Sequence, residues 1–394
     1  MDNFVYEYPT KVLFGKGAAR EHLGKALGVY GPNVMLAYGG GSIHKNGVYD
    51  EMMEILHAAG KTVTEFHGIM PNPTYAKVQE GAALAREKHI DFILAVGGGS
   101  VIDCCKVIAA QAVLEEGIWE MELVQRRFPT VPPIPMGAVV TASGTGAEMN
   151  GGAVITHEEK KVKTGIFAAA PRFAVLDPDY TMSVPFAQMM SGAFDTLSHA
   201  METYFGRADR DNVSDDLAEA VMRSTIRNMR VLLQTPNDYT ARSNLMWDSA
   251  MAENGILKCG RATDFQAHQI EHQLGAYTDC NHGQGLAVIH PALYRVMCEK
   301  AAEKFARFTV NVWGISSQGK TEQELAVAGV DALTAFIREC GLPTRLGELH
   351  MRADASKLLT PEVLKEVANS SNLIGTGCAC VSHEEIFRIL KDCL

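Results

Sequence analysis

The residues best suited to chemistry are an aspartate and several histidines in the second half of the chain. Asp195 and His199 stand four residues apart in a segment that predicts a helix, so they share one helix face. Three more histidines follow, His268 and His272 at the same spacing and then His282. One carboxylate with three of these four imidazoles suits a divalent cation such as Fe²⁺ or Zn²⁺. Taken alone, the pattern also fits an ordinary helical Asp–His pair in a chain with 13 histidines.

Three loops rich in glycine or hydroxyl groups lie in the first half of the chain, each directly after a predicted buried strand. Glycine lets phosphate oxygens approach the backbone, and the first amides of a following helix point at an anion. The loops at residues 39–42, 97–100 and 141–148 therefore predict a dinucleotide site. The simpler alternative for each is a tight turn or an ordinary polar loop.

The first of these loops bears on the choice between NAD and NADP. It ends the strand beside which an adenosine ribose is usually held, where an acidic residue would bond to the 2′-hydroxyl and repel a 2′-phosphate. The loop has Gly41 and Ser42 instead, with Lys45 nearby. These residues favour NADP. NAD remains the alternative if the loop is only a glycine turn.

The elements that must position these residues change character along the chain. In the first half, short apolar strands alternate with helices, as in a parallel sheet covered on both faces. From residue 184 onward only helical patterns occur. The predicted fold is an α/β N-terminal dinucleotide-binding domain with a Rossmann-like parallel sheet, residues 1–182, and an all-α C-terminal metal-binding domain, residues 183–394. Residues 4–14 predict a short hairpin or edge strand, and residues 285–311 predict one continuous helix.

Length, charge and cysteine usage exclude several classes of protein. A chain of 394 residues is long enough for roughly two domains. Its net charge of −10 argues against nucleic acid or an anionic membrane as the main partner. No apolar run reaches the roughly 18–20 residues that cross a bilayer, and the N-terminus lacks the features of a signal peptide. Nine cysteines, an odd number, indicate reduced thiols in the cytoplasm.

A series of motifs follows in the order found in one enzyme family. The motifs are Phe14-Gly15-Lys16-Gly17, Gly97-Gly-Gly-Ser-Val-Ile-Asp103, Thr141-x-Ser-Gly-Thr-Gly-x-Glu148, Asp177-Pro178, Asp195-x-x-x-His199-x-x-Glu202 and His268-x-x-x-His272 with His282-Gly283. This series resembles the iron-containing (group III) alcohol dehydrogenase family from about residue 4 to the C-terminus. The stretches at residues 9–17 and 148–150 resemble its butanol dehydrogenase and NADPH-dependent aldehyde reductase branch.

The resemblance implies roles for particular residues. The implied metal ligands are Asp195, His199, His268 and His282. The implied cofactor contacts are Gly39, Gly40, Gly41, Ser42, Gly97, Gly98, Gly99, Ser100, Asp103, Thr141, Ser143, Thr145 and Lys163. Lys163 would lie near the cofactor ribose, or else be an exposed charge on a strand. His272 would lie beside the substrate and the nicotinamide, where it relays a proton or packs against the ring. Asp103 is the second residue implied to take part in catalysis.

The implied activity is NAD(P)-linked interconversion of small primary alcohols and aldehydes, butanol among them, with a metal that polarises the substrate oxygen. The alternative is a lyase resembling dehydroquinate synthase, which needs a basic cluster for a phosphorylated substrate. The expected substrate-side segments, residues 186–205 and 255–282, are poor in such a cluster. A metal-dependent hydrolase is a third possibility, against which the glycine loops argue. A homodimer formed through the strand at residues 4–14 is also expected.

Overall fold

The chain forms two compact units, as a computed structural model shows for residues 2–207, 212–351 and 354–394. One unit is Glu7–Val184, which holds the eight described strands. The other combines Met1–Tyr6 with Pro185–Leu394 and is helical. The predicted fold class, a parallel α/β sheet followed by a helical part, is confirmed.

The first unit is built on a six-stranded parallel sheet. The strands in chain order are β1 (Lys11–Phe14), β2 (Asn33–Tyr38), β3 (Thr62–Phe66), β4 (Phe92–Gly97), β5 (Met136–Val140), β6 (Gly152–His157), β7 (Val162–Phe167) and β8 (Phe173–Leu176). The sheet order is β1-β8-β5-β4-β2-β3, and β6 and β7 form a separate antiparallel pair. The central strands β4 and β5 are buried along their whole length, which explains their continuous apolar sequence.

Helices cover this sheet. They are α1 (Ala18–Leu27), α2 (Ser42–Lys45), α3 (Val48–Ala58), α4 (Tyr75–Glu87) and α5 (Gly99–Gln111). Leu23 and Leu27 of α1, and Met52 and Leu56 of α3, are fully buried in one apolar cluster with strand residues. The spacing of four residues in each pair places both side chains on the helix face that meets the sheet.

The second unit consists of nine described helices. They are α6 (Phe186–Tyr204), α7 (Val213–Gln234), α8 (Tyr239–Glu253), α9 (Gln266–Thr278), α10 (His282–Lys300), α11 (Ala302–Asn311), α12 (Glu322–Glu339), α13 (Pro361–Ser370) and α14 (His383–Asp392). No helix within the described ranges is both long and apolar enough to cross a membrane.

The prediction of one continuous helix over residues 285–311 is wrong. The chain leaves the helical conformation at Ala301, where φ is −138° and ψ is 47°. The rings of Tyr294 and Phe305 lie 5.4 Å apart, although eleven residues of straight helix would separate them by about 16 Å. Phe305 also stacks on Phe205 at 4.2 Å. This aromatic contact requires the chain to turn at Ala301, and the helical periodicity of the sequence gives no sign of that turn.

Of the two alternatives for residues 4–14, the edge strand is the one that forms. Lys11–Phe14 pairs in parallel with β8 at one edge of the sheet, and no hairpin occurs among residues 2–14. All nine cysteines are free thiols, and seven of them are buried.

Candidate functional site

Three helices of the second unit carry the histidines and the aspartate that the sequence singles out. Asp195 and His199 lie one turn apart on α6, His268 and His272 one turn apart on α9, and His282 is the first residue of α10. The two i,i+4 pairs therefore present their side chains along one face of each helix.

The start of α10 is held against α6, which brings His282 to the site. The side chain of Asn281 accepts a hydrogen bond from the Gln284 amide at 3.2 Å and so caps α10. Gly283 lies so close to α6 that a Cβ atom there would be 2.2 Å from the carbonyl oxygen of Ser191. Only a glycine allows this approach, because 2.2 Å is far below any contact distance between carbon and oxygen.

Helix α9 is held against α6 in a different way. Its first turn follows Phe265, which has a left-handed backbone with φ of 53°. The Oε1 atom of Glu202, on α6, accepts a hydrogen bond from the Ala267 amide at 2.6 Å. This carboxylate therefore satisfies a free amide at the beginning of α9 and fixes His268 opposite Asp195.

Three imidazoles converge on one oxygen of Asp195. From Asp195 Oδ1, the distance is 3.5 Å to His268 Nε2, 3.5 Å to His282 Nε2 and 3.7 Å to His199 Nδ1. Ligands about 2.1 Å from a tetrahedral cation lie about 3.4 Å from one another. The observed spacing thus leaves room for a cation, and it is too long for hydrogen bonds between the groups.

Burial gives an independent test of whether these residues fit a cation. Asp195 Oδ1, His199 Nδ1 and His268 Nε2 are buried, and within the described part of the chain none of them makes a hydrogen bond. Buried polar atoms without partners are rare and costly in proteins. A divalent cation would satisfy all three at once, and an oxygen–nitrogen donor set of this kind suits Fe²⁺ or Zn²⁺. The residues therefore fit the group.

Three of the four candidate ligand residues form a tighter group than the full set of four. The ligand atoms of Asp195, His268 and His282 all lie within 4.8 Å of one another. His199 contacts Asp195 and stacks on His268, with ring centroids 4.5 Å apart, at the margin of this group.

The charges at the site are strongly coupled. Burial raises the pKa of Asp195, but His199, His282 and His268 outweigh it and hold that pKa well below its usual range. Burial lowers the pKa of His268, but Glu202 and Asp195 overcome this and raise it to about 10. Since a ligand nitrogen must be deprotonated, a cation at this site would compete with protons for His268.

Two buried glutamates contact the far sides of the rings. His268 Nδ1 hydrogen-bonds to Glu202 Oε2, and His282 Nδ1 hydrogen-bonds to Glu271 Oε2. Neither glutamate was among the site residues expected from the sequence, although Glu202 stands in the α6 motif. Each follows a candidate ligand histidine by three residues, Glu202 after His199 and Glu271 after His268, which is the only signal in the sequence.

His272 lies beside this group. Its ring is buried, with its centroid 5.7 Å from that of His282 and 5.9 Å from that of His268. The ligand atoms of His272, His282 and Glu271 also lie within 4.8 Å of one another.

The predicted cofactor loops lie in the first unit, at the carboxyl ends of three adjacent strands. Strands β2, β4 and β5 are neighbours, and residues 39–42, 97–100 and 141–145 lie at or directly after their ends. In open α/β sheets, ligands bind outside the carboxyl ends of the strands. The eleven loop residues predicted to contact the cofactor, apart from Asp103, are on this edge of the sheet.

The loops at residues 97–100 and 141–145 are in direct contact with each other. The Thr141 amide donates to the Gly97 carbonyl at 3.0 Å. A Cβ atom on Gly99 would be 2.3 Å from Thr145 Oγ1, so the glycine is needed for the contact. Gly98 occupies the N-cap position of α5 and has no side chain to cap its first amides. Those amides are thus suited to an anion such as a diphosphate.

Asp103 and Lys163 stand where α5 meets the β6–β7 pair. Asp103 accepts hydrogen bonds from the Val154 amide at 2.9 Å and from Lys106 Nζ at 3.3 Å. Lys106 is fully buried and also donates to the Gly152 carbonyl at 2.5 Å. Lys163 is buried on β7, which does not agree with its alternative reading as an exposed strand charge.

The loop after β2 exposes a hydroxyl and a cation. Ser42 and Lys45 are exposed on α2, directly after the left-handed Gly41 with φ of 92°. The nearby acidic residue Glu65, at the end of β3, accepts hydrogen bonds from the hydroxyls of Tyr38 at 2.7 Å and Tyr49 at 3.0 Å. The sequence did not indicate that this carboxylate is held in this way.

Two protein-family models match the chain, one over most of each unit. A family model described as "Iron-containing alcohol dehydrogenase" matches residues 9–178. A second, described as "Fe-containing alcohol dehydrogenase family, C-terminal", matches residues 189–394.

Individual proteins resemble the chain over nearly its whole length. It is 36% identical to the NADH-dependent butanol dehydrogenase A of Clostridium acetobutylicum, covering 99% of both chains. It is 35% identical to the NADPH-dependent aldehyde reductase YqhD of Escherichia coli, covering 93% of both. Among solved structures, the NADH-dependent butanol dehydrogenase A of Thermotoga maritima superposes with a TM-score of 0.90 at 33% identity, covering 100% of this chain and 99% of the other.

Proposed function

Because the chain belongs to the iron-containing alcohol dehydrogenase family, we propose that it interconverts small aldehydes and primary alcohols, with butanal and butanol as representative substrates. Enzymes of this family are NAD(P)-dependent oxidoreductases, and the similar proteins are named for alcohols and an aldehyde. The observation that carries the proposal is the convergence of three imidazoles on Asp195 Oδ1. The lyase alternative is not favoured, because the relatives are named dehydrogenases and a reductase.

We assign the metal ligands to Asp195, His199, His268 and His282. A divalent cation bound there would supply Lewis-acid chemistry toward an aldehyde or alcohol oxygen. Asp195 is held in its anionic form by the surrounding imidazoles, so it contributes the negative charge that retains a cation. The burial of Asp195 and His268 excludes bulk water from their side of the site, which strengthens these electrostatic interactions.

His272 is the proton carrier in this proposal. Its imidazole lies next to His268 and His282 without belonging to the group around Asp195 Oδ1. Reduction of an aldehyde consumes one proton at oxygen for each hydride added at carbon, and an imidazole suits this transfer near neutral pH. We also propose that Asp103, on α5, and Lys163, on β7, contact the cofactor.

We propose NADP as the preferred cofactor. The support comes from the loop after β2, where Ser42 and Lys45 are exposed and could contact a 2′-phosphate. Glu65, which could oppose such a phosphate, has each carboxylate oxygen engaged by a tyrosine hydroxyl. NAD is the alternative, and relatives named for each cofactor occur.

The test combines metal content with activity. Protein purified without added metal is analysed for its elements, then stripped with a chelator and reloaded with Fe²⁺ or Zn²⁺. Butanal reduction is followed by the loss of NADPH or NADH absorbance. We expect activity to be lost on chelation and restored by one of the two ions, with a higher kcat/KM for NADPH. Activity that resists complete chelation would contradict the metal-dependent function, and an equal or higher kcat/KM with NADH would contradict only the cofactor preference.

We also propose that the protein is a homodimer in the cytoplasm. The edge strand β1 carries the exposed Phe14, which a second copy could cover. Light scattering is expected to give twice the mass of the chain, and a monomeric mass at micromolar concentration would contradict the dimer. The free thiols agree with a reducing compartment, which fractionation of the source cells would test.

A further inference from the structure

Glu271 is a fully buried carboxylate that the proposed chemistry does not use directly. It lies on α9 between His268 and His272, and its Oε2 atom accepts a hydrogen bond from Nδ1 of His282. Its other oxygen accepts a weak hydrogen bond from the Cys280 thiol, with 3.7 Å between sulfur and oxygen. A buried charge of this kind needs partners, and a ring nitrogen of His282 is the strongest donor among these two.

The backbone of α10 makes room for this carboxylate. A Cβ atom on Gly285 would be 2.8 Å from Cγ of Glu271 and 3.3 Å from its Oε1 atom. A side chain at position 285 would therefore displace Glu271. The first turn of α10 accommodates both His282 and the residue that contacts it.

The contact determines which nitrogen of His282 is available. A neutral imidazole carries one N–H, and here Nδ1 donates it to Glu271. The lone pair is then on Nε2, which faces Asp195 Oδ1 at 3.5 Å. Two acceptors that face each other at this distance repel, and a cation bound between them would remove that repulsion. Glu271 thus prepares His282 for metal binding through Nε2.

His282 is the ligand that most needs such support. Its side chain is 24% exposed, against 10% for His199 and 4% for His268. An exposed imidazole can rotate, whereas the more buried rings are held by their surroundings. Carboxylate partners of ligand histidines fix the orientation of the ring and increase its basicity.

We propose that Glu271 is a positioning residue, which fixes the tautomer and orientation of His282 and so sets the affinity of the site for its metal. The inference rests on the proposed metal site. Glu202 makes the corresponding contact with His268, but it also accepts the Ala267 amide at the start of α9. Replacing Glu202 would therefore disturb the start of α9 as well, whereas Glu271 contacts His282 and the Cys280 thiol.

The experiment measures metal affinity apart from activity. Metal-free wild type, Glu271→Met and Glu271→Gln are titrated with Zn²⁺ against a competing chelator at fixed pH. Their Co²⁺ forms are compared by visible absorption, which reports the ligand geometry. Asp248→Asn is the matched control, because it neutralises another buried carboxylate of the same unit, one that accepts a hydrogen bond from the Thr225 hydroxyl.

We expect Glu271→Met to bind Zn²⁺ about 10- to 100-fold more weakly than wild type, with a shifted Co²⁺ spectrum. Glu271→Gln keeps an oxygen acceptor and is expected to recover part of this loss. Asp248→Asn is expected to bind Zn²⁺ like wild type. If the Met variant does not fold, the Gln variant decides alone, since it lacks the charge and should lose affinity several-fold.

The outcomes separate this inference from the function on which it rests. Equal Zn²⁺ affinity in wild type and the Glu271 variants would overturn the inference and leave the metal site in place. A wild type that holds no divalent cation would overturn both. An equal loss of affinity in Asp248→Asn would show a general effect of removing a buried charge, and this too would overturn the specific role of Glu271.

Discussion

Asp195→Asn is expected to lose its metal and to reduce turnover by roughly 10³-fold or more. Oδ1 of Asp195 is the atom on which three imidazoles converge, and Asp195 is the one anionic member of the proposed ligand set. Asparagine has almost the same shape but no charge, so the change isolates the electrostatic contribution. Loss of several kcal/mol of Lewis-acid stabilisation corresponds to a factor of this size.

The measurement is metal content per chain together with kcat for butanal reduction at saturating cofactor. Asp216→Asn serves as the control, because it removes a carboxylate from an exposed ion pair with Arg307 in the same unit. Such surface pairs contribute little to stability, so this variant should retain metal and turnover. If Asp195→Asn kept both wild-type metal content and wild-type kcat, Asp195 would not be a ligand.

Gly99→Ala is expected to weaken NADPH binding by roughly 10- to 100-fold. The added Cβ atom would stand 2.3 Å from Thr145 Oγ1 and 2.6 Å from its Cγ2. The short side chain of Thr145 cannot move away freely, so the two loops must separate. Misfit of this kind costs about 1–3 kcal/mol, and the separation moves the amides that we propose hold the diphosphate.

Fluorescence titration with NADPH gives the dissociation constant directly. Gly24→Ala is the matched control, since it lies inside α1 and its Cβ atom would meet Ile55 at an ordinary 3.9 Å. That change should leave NADPH affinity unchanged and stabilise the protein by about 0.5–1 kcal/mol. Unchanged NADPH affinity in Gly99→Ala would argue against a cofactor role for the contact between these loops.

Local periodicity was enough to predict the fold class and much of the element pattern. The run at Phe92–Gly97 is continuous and apolar because β4 is covered on both faces, and the glycines that follow mark its end. The spacing of Asp195 and His199 predicts a shared helix face, and the structure brings both to one point. Patterns of this kind depend only on residues that are close together in the sequence.

Contacts between distant helices were not predictable in the same way. Glu271 follows His268 by three residues, but its contact is with His282, 11 residues further along the chain, and depends on how α10 docks. The turn at Ala301 has the same origin, because the packing of Phe305 against Tyr294 and Phe205 decides it. The tyrosine hydroxyls that hold Glu65 come from β2 and α3, which approach each other only in the folded unit. Three-dimensional packing determines such pairings, and they cannot be inferred from spacing along the chain.

The proposed metal centre draws its side chains from α6, α9 and α10, and the residues paired around it are far apart in sequence. Glu202 and His268, for example, are separated by 66 positions. An ion that joins these helices closes a long loop and therefore acts as a staple. An ion that binds only the folded chain adds about 2.7 kcal/mol of stability at a free concentration one hundred times its dissociation constant. If the proposed site holds its ion, we expect the supply of free cation to affect the stability of the folded chain as well as its activity.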